Sequence, residues 1–152
     1  MKPGAAVGMF LDTDVLVLAR FEAAPRHALA RRRMQEAGDS GEALRISRQV
    51  LREYLATVTR PQHWSPPVGM DRALAHVAVL EARFEILEDG PEVADALKRL
   101  CREVPVAGKQ VHDANIVATM LAHGETRLLT FNAGDFRRYG ERIDVIGEEA
   151  AS

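Results

Sequence analysis

The run MFLDTDVLVLARF, residues 9–21, sets Asp12 and Asp14 two apart among apolar neighbours. A carboxylate taken out of water is costly unless it is paired, protonated or held against a cation. Three further acids lie beside or within apolar segments: Glu53 in REYL, Asp113 in HDANI and Asp135 in AGDF. Brought together, Asp12, Glu53, Asp113 and Asp135 would repel, and each would hold its proton more tightly unless a cation compensated. The fitting ion is Mg2+ or Mn2+, which is hard, oxygen-seeking and content to keep several waters. One or two such ions can make a nucleophile of water and stabilise an in-line displacement at phosphorus.

Whether the acids meet depends on the elements that carry them. MFLD reads as a short buried strand, and TDVLVLARFEAAP continues as a helix with Thr13 or Asp14 as N-cap. A second helical stretch from Arg26 to Ala37 ends at the turn-forming AGDSGE. ALRI is a second strand, after which Ser47 can cap the helix RQVLREYLATVT, which must stop before Pro61. MDRALAHVAVLEARF places Leu74, Val77 and Leu80 on one helical face, and FEIL is a third strand. Gly90 and Pro91 open the next helix, with Val93, Leu97 and Leu100 at helical spacing. The helix from Val111 to His123 is apolar nearly all round, hence buried, and Gly124 follows at the position where helices end. RLLTF is a fourth strand, NAGD a turn and IDVI a final strand. Short strands alternating with helices indicate an α/β sandwich with a mainly parallel sheet, whose ligands bind beyond the carboxyl ends of the strands.

That rule sorts the acids. Asp12 stands at the end of the first strand and Asp135 just past the end of RLLTF; Glu53 lies in the helix after the second strand, and Asp113 near the start of the apolar helix. Each also has an ordinary structural role open to it. Asp12 or Asp14 can cap a helix, Asp113 can complement a helix dipole, Glu53 can pair with Arg48 or Arg52, and Asp135 can be a turn residue. Residue types and spacing stop at an acidic metal site in an α/β domain.

The bulk numbers agree with one soluble domain. The chain has 152 residues, 47% hydrophobic and 28% charged, enough to bury a core. No apolar run approaches the roughly 20 residues of a membrane helix, and the N-terminal MKPGAAVG has no apolar block of a secretory signal. Residues 1–8 read as a flexible tail, with Met9 an alternative start, 9–147 as a single domain and 148–152 as a second tail. The single Cys101 excludes an internal disulfide and reads as a packed core thiol on a helix. These features point to the cytoplasm. The net charge of −2 does not advertise polyanion binding, and the cluster Arg26, Arg31, Arg32, Arg33 reads as a solvated face.

FLDTDVLV, then ISRQVLREYLATVTRP, then GKQVHDANIVATMLAHGETRLLTFNAGDF together resemble a PIN-domain nuclease, and within that group the VapC-type toxins of bacterial type II toxin–antitoxin systems. The likeness spans about Phe10 to Ile146, and its most specific block carries Asp113 and Asp135. It implies a three-layer α/β/α sandwich around a mainly parallel sheet. It further implies a Mg2+- or Mn2+-dependent endoribonuclease acting through metal-activated water, with a cognate antitoxin and a homodimer as partners. Position by position it assigns catalysis to Asp12, Glu53, Asp113 and Asp135, with Asp12, Asp113 and Asp135 holding metal and Glu53 a further candidate. Thr130 and Asn132 would help shape the site. Asp14 stands where the family often has Asn or Ser, so its contact with metal stays open.

RNA phosphate requires positive charge beside an acidic pocket, and Arg48, Arg52, Arg137 and Arg138 flank the acids in sequence. His112 precedes Asp113, but adjacent helical residues point about 100° apart, which favours a structural or partner-contact role. His63 and Trp64, in a proline-rich loop, could stack on a base or anchor their own loop. No Gly-rich nucleotide loop occurs. Two other functions remain open: a PIN-domain nuclease of RNA maturation or acting on DNA, and a non-catalytic module whose acids merely cap helices.

Overall fold

The computed structural model describes residues 8–147. The expected tails, apart from Gly8, lie outside the described residues. Five parallel strands form one sheet in the order β3-β2-β1-β4-β5. They are β1 (Gly8–Leu11), β2 (Ala43–Ser47), β3 (Glu85–Leu87), β4 (Arg127–Leu129) and β5 (Asp144–Ile146). Gly8, expected in the tail, pairs with Ala43 and opens β1. Every residue of β1 is buried. Successive strand residues point to opposite faces, so both faces of the central strand are covered, which is the three-layer arrangement.

Seven helices supply those layers: α1 (Thr13–Arg20), α2 (His27–Asp39), α3 (Arg48–Val58), α4 (Met70–Arg83), α5 (Pro91–Glu103), α6 (Gln110–Ala122) and α7 (Ala133–Phe136). α1 packs on α2 and α3, and α3 on α4, while α5 pairs with α6. Among the described residues no helix is long and apolar enough to cross a membrane.

Local chemistry explains most boundaries. Ser47 caps α3, its hydroxyl accepting from Val50 N, and Pro91 opens α5 after Gly90. α6 is buried along most of its length, from Ala114 to Met120, and Gly124 beyond it takes the left-handed conformation, φ 75°.

Several elements differ from the sequence reading. α1 stops at Arg20, where Phe21 turns extended, rather than running to Pro25, and Arg26 adopts φ 61° before α2. The cap of α1 is Asp12, not Thr13 or Asp14, because Asp12 alone keeps extended backbone (φ −74°, ψ 157°) before the helix. On α4 the buried residues are Ala73 and His76, with Val77 and Leu80 half-buried, whereas Leu74 is 49% and Val79 63% exposed. NAGD, expected as a turn, leads into α7. Cys101 is exposed rather than packed: α5 buries Val93, Ala96 and Leu100, and the next residue points about 100° away.

β1 is flanked by β2 on one side and β4 on the other, so the chain leaves it in one direction and returns on the other. The crevice beyond the carboxyl ends of β1 and β4 is the switch point where sheets of this kind place a ligand.

Candidate active site

At that switch point β1 delivers Asp12. Its N–H donates to Leu129 O at 3.0 Å, tying the residue to the seam with β4. Oδ1 accepts from Thr13 N at 2.8 Å and Oδ2 from the Thr130 hydroxyl at 2.8 Å. Asp12 is thus both helix cap and buried acid, only 7% exposed.

Glu53, on α3, is held at both oxygens. Oε1 accepts from Thr13 Oγ1 at 2.9 Å and Oε2 from Gln49 Nε2 at 3.1 Å, one helical turn back. Gln49 is itself buried, donates to the His112 carbonyl at 2.8 Å and accepts from Asn115 Nδ2 at 2.8 Å. Glu53 is therefore tied through Gln49 to the turn of α6 that carries Asp113. On the β4 side, Asp14 Oδ2 accepts from Phe131 N at 3.0 Å and Asn132 Nδ2 at 3.1 Å. Asn132 N in turn donates to Thr130 Oγ1 at 3.0 Å. Asp14 Oδ1 is buried without a hydrogen-bond partner among the described residues. Asp135 enters from α7, where its N–H donates to Asn132 O at 3.0 Å.

Asp12, Asp14, Glu53, Asp113 and Asp135 all line one cleft of about 510 Å³. Burial and crowding raise the proton affinity of Asp12, Asp14 and Asp113. Burial, then the charge of Asp14, pushes the Asp12 carboxyl up to about 7 against the opposing bonds from Thr130 and Thr13. Burial, then Asp135 and Glu53, pushes Asp113 up to about 6. Asp14 is raised mainly by burial, while the Phe131 and Val15 amides and the Arg26 charge favour its carboxylate.

This donor set fits a divalent cation: carboxylate oxygens, an orphaned buried oxygen on Asp14, and acids whose charge the Arg26 and Arg138 guanidinium groups offset only in part. Among the described residues no three Asp, Glu, His or Cys side chains come close enough to enclose an ion directly. The acids share a cleft without forming a closed cage, an arrangement suited to an ion that keeps several waters.

The arginines fall differently from their sequence positions. Arg48 is engaged by Glu88 at 2.7 Å and Glu81 at 3.0 Å and does not line the cleft, nor do the exposed Arg52 and Arg137. Arg138 donates to Pro105 O at 3.0 Å, yet its charge still favours the Asp113 carboxylate. The cationic lining comes instead from Arg26 and Arg60. Sequence reasoning also missed Thr13, Gln49 and Asn115. Only Gln49 left a signal, its four-residue spacing from Glu53 on a helix.

The family model of the PIN domain matches residues 9–142. Compared with curated protein sequences, the chain has no significant match. Among solved structures, VapBC2 of Rickettsia felis bound to a promoter DNA fragment superposes with a TM-score of 0.66 at 19% identity, over 90% of this chain and 97% of that one. VapC20 of Mycobacterium tuberculosis, described as a sarcin–ricin loop cleaving toxin, gives 0.65 at 18% identity over 90% and 97%. PAE2754 of Pyrobaculum aerophilum gives 0.56 at 22% identity over 94% and 88%. At these identities the likeness is one of fold.

Proposed function

The chain belongs to the PIN-domain family, and from that premise we propose that it is a divalent-metal-dependent endoribonuclease, the VapC-type toxin of a type II toxin–antitoxin pair acting in the cytoplasm. The observation that carries the reading is the convergence of five acids from four segments, the start of α1, α3, α6 and α7, in one cleft at the switch point of the sheet.

On this reading Asp12, Asp113 and Asp135 hold Mg2+ or Mn2+, with Glu53 within the same cleft. When bound, the ion supplies Lewis-acid polarisation of a phosphodiester and lowers the pKa of water. The chain's own residues prepare that chemistry. Thr130 and the Thr13 amide orient Asp12, and Thr13 Oγ1 and Gln49 hold Glu53. Asn132 and the Phe131 amide fix Asp14, whose buried Oδ1 has no hydrogen-bond partner among the described residues. The raised proton affinities of Asp12 and Asp113 mean that the acids give up protons as the ion enters.

Solved relatives include toxin–antitoxin complexes from Klebsiella pneumoniae and Salmonella typhimurium, which supports an antitoxin partner here. A groove of about 480 Å³ offers it a seat, with Leu16, Met34, Leu80 and Phe84 as apolar lining and Arg20, Arg31, Arg32 and Arg83 around them. That pattern suits an amphipathic helix with acidic residues beside its apolar stripe. The exposed Leu74 and Val79 of α4 are the candidate homodimer surface.

The test is cleavage of total RNA with Mg2+, with Mn2+ and with EDTA, comparing wild type, Asp12→Asn and Asp113→Asn. Metal-dependent cleavage lost in both variants supports the reading; equal cleavage by all three overturns it. Growth arrest on expression, relieved by the product of an adjacent small gene, tests the toxin assignment separately.

A further inference from the structure

The acids account for one end of the cleft only. Its remaining lining follows two helices away from them. On α1 it continues from Asp14 through Val17 and Leu18. On α3 it runs Glu53, Ala56 and Thr57, the stripe of a helix face, and continues to Arg60 just past the helix end. From Glu53 to Val58 the helix advances about 8 Å, so the far end, with Arg60, Gln62 and Trp64, stands off from the acids, while Arg26 lies nearer Asp14.

That far end is built. Gln62 and Ser65 bond to each other through both backbone amides, at 2.9 and 3.3 Å, closing a tight turn with His63 and Trp64 at its tip. Gln62 Nε2 anchors the turn to Thr57 O at 2.9 Å. Phe21 braces the indole, ring centroids 5.3 Å apart at 48°, yet Trp64 still lines the cleft. Arg60 donates from Nε to Ala56 O at 2.9 Å and lines the same cleft. Arg26 lies over the Phe131 ring at 5.4 Å with its charge felt by Asp14.

An aromatic ring and an arginine lining one end of a cleft are the chemistry that holds an unpaired base and its flanking phosphate. We propose that Trp64, with Arg60 lining the same end of the cleft, is a stacking subsite for a single-stranded nucleotide lying beside the phosphate presented to the acids. The proposal rests on the nuclease reading of the cleft and adds to it that the substrate must be unpaired at that position. A base in a duplex keeps its faces stacked on its neighbours and has none to offer the indole.

Trp64 is the single tryptophan of the chain, so its fluorescence reports the contact directly. The full chain carrying Asp113→Asn is titrated, with Mg2+ and again with EDTA, against a single-stranded oligoribonucleotide, the same sequence in a duplex, and inorganic tripolyphosphate. Saturable quenching by the single strand, with the duplex at least tenfold weaker and tripolyphosphate without effect, supports the subsite. No quenching by the single strand, or equal quenching by tripolyphosphate, overturns it. In cleavage assays Trp64→Ala should raise KM about 5- to 150-fold with little change in kcat, and Trp64→Phe should recover most of the loss. An unchanged KM in a Trp64→Ala protein that melts normally also overturns the subsite. Quenching without any metal-dependent cleavage refutes the nuclease reading and leaves the subsite standing; cleavage without quenching does the reverse.

Discussion

Replacing Asp12 by Asn should stabilise the metal-free protein at alkaline pH while abolishing its response to metal. Asp12 has an ordinary carboxyl value of 3.8 and is pushed up to about 7 in the fold. At about 1.4 kcal/mol per tenfold change in acidity, holding it ionised costs the native state up to about 4 kcal/mol. The sign follows from linkage. A folded-state pKa above the unfolded one means that the native state binds more protons between pH 4 and 7, so stability contributed by this group is complete below 4 and is lost as pH rises through 7. Asn cannot ionise and keeps the shape: its carbonyl can still accept from Thr13 N and its amide can donate to Thr130 Oγ1. Allowing for imperfect replacement of those two bonds, Asp12→Asn should gain about 1–3 kcal/mol over wild type at pH 8 in EDTA and nothing at pH 4. For a domain of this size that is a rise in Tm of about 2–10 °C. Thermal unfolding across pH 4–9 in both proteins measures it. The difference between the two curves is what counts, because Asp113, raised to about 6, and His76, lowered by burial and the Arg20 and Arg72 charges, titrate in both. Addition of Mg2+ or Mn2+ at pH 8 should raise the Tm of wild type and leave the variant nearly unmoved. A difference curve that is flat with pH, or a variant less stable than wild type at pH 8, would refute the assignment of Asp12 as a buried, uncompensated carboxylate.

Other outcomes follow from the same geometry. Cleavage should fall on acidification as Asp113 and Asp12 take up protons, giving an acid limb below about pH 7 that moves lower as Mn2+ is raised; a pH–rate profile at two metal concentrations reads it. Gln49→Leu leaves Glu53 Oε2, the His112 carbonyl and the Asn115 amide short of a partner, so unfolding should show a loss of about 1–3 kcal/mol and calorimetry a 10- to 100-fold weaker Mn2+ affinity. Arg48→Ala, whose guanidinium is held by Glu81 and Glu88 away from the cleft, should leave KM for RNA within about twofold, whereas Arg60→Ala should raise it and flatten its salt dependence. Paired Arg31→Glu and Arg32→Glu should weaken antitoxin binding at least tenfold in a pull-down titration without changing cleavage of RNA, since both line the apolar groove and neither lines the acidic cleft.

Much of the fold was legible along the chain because the interactions that specify it are local. A continuous apolar run marks β1 as a strand covered on both faces, Ser47 caps the helix that follows β2, and Gly90–Pro91 opens α5; each signal acts within a few residues. The same holds for the acids as chemical types: carboxylates at strand ends and in buried helices demand compensation wherever the chain folds. Their roles were another matter. Asp12 as cap and buried acid together, Thr130 against Asp12 across 118 positions, and Gln49 linking Glu53 to α6 across 63 are set by which strands become neighbours. So are the failures. Arg48 stands five residues before Glu53, yet its charge is taken by Glu81 and Glu88 brought up beside β3. Cys101 follows the buried Leu100 but falls on the outer face of α5, and the stripe of α4 that packs is shifted off Leu74. Sequence alone determined that this chain makes a parallel sheet and places acids at its working edge, because period and capping are written within each segment. Which oxygens are held, which arginines face the cleft and where an indole stands beside it were decided only when β4 returned to the side of β1, since distance along the chain carries no record of distance in space.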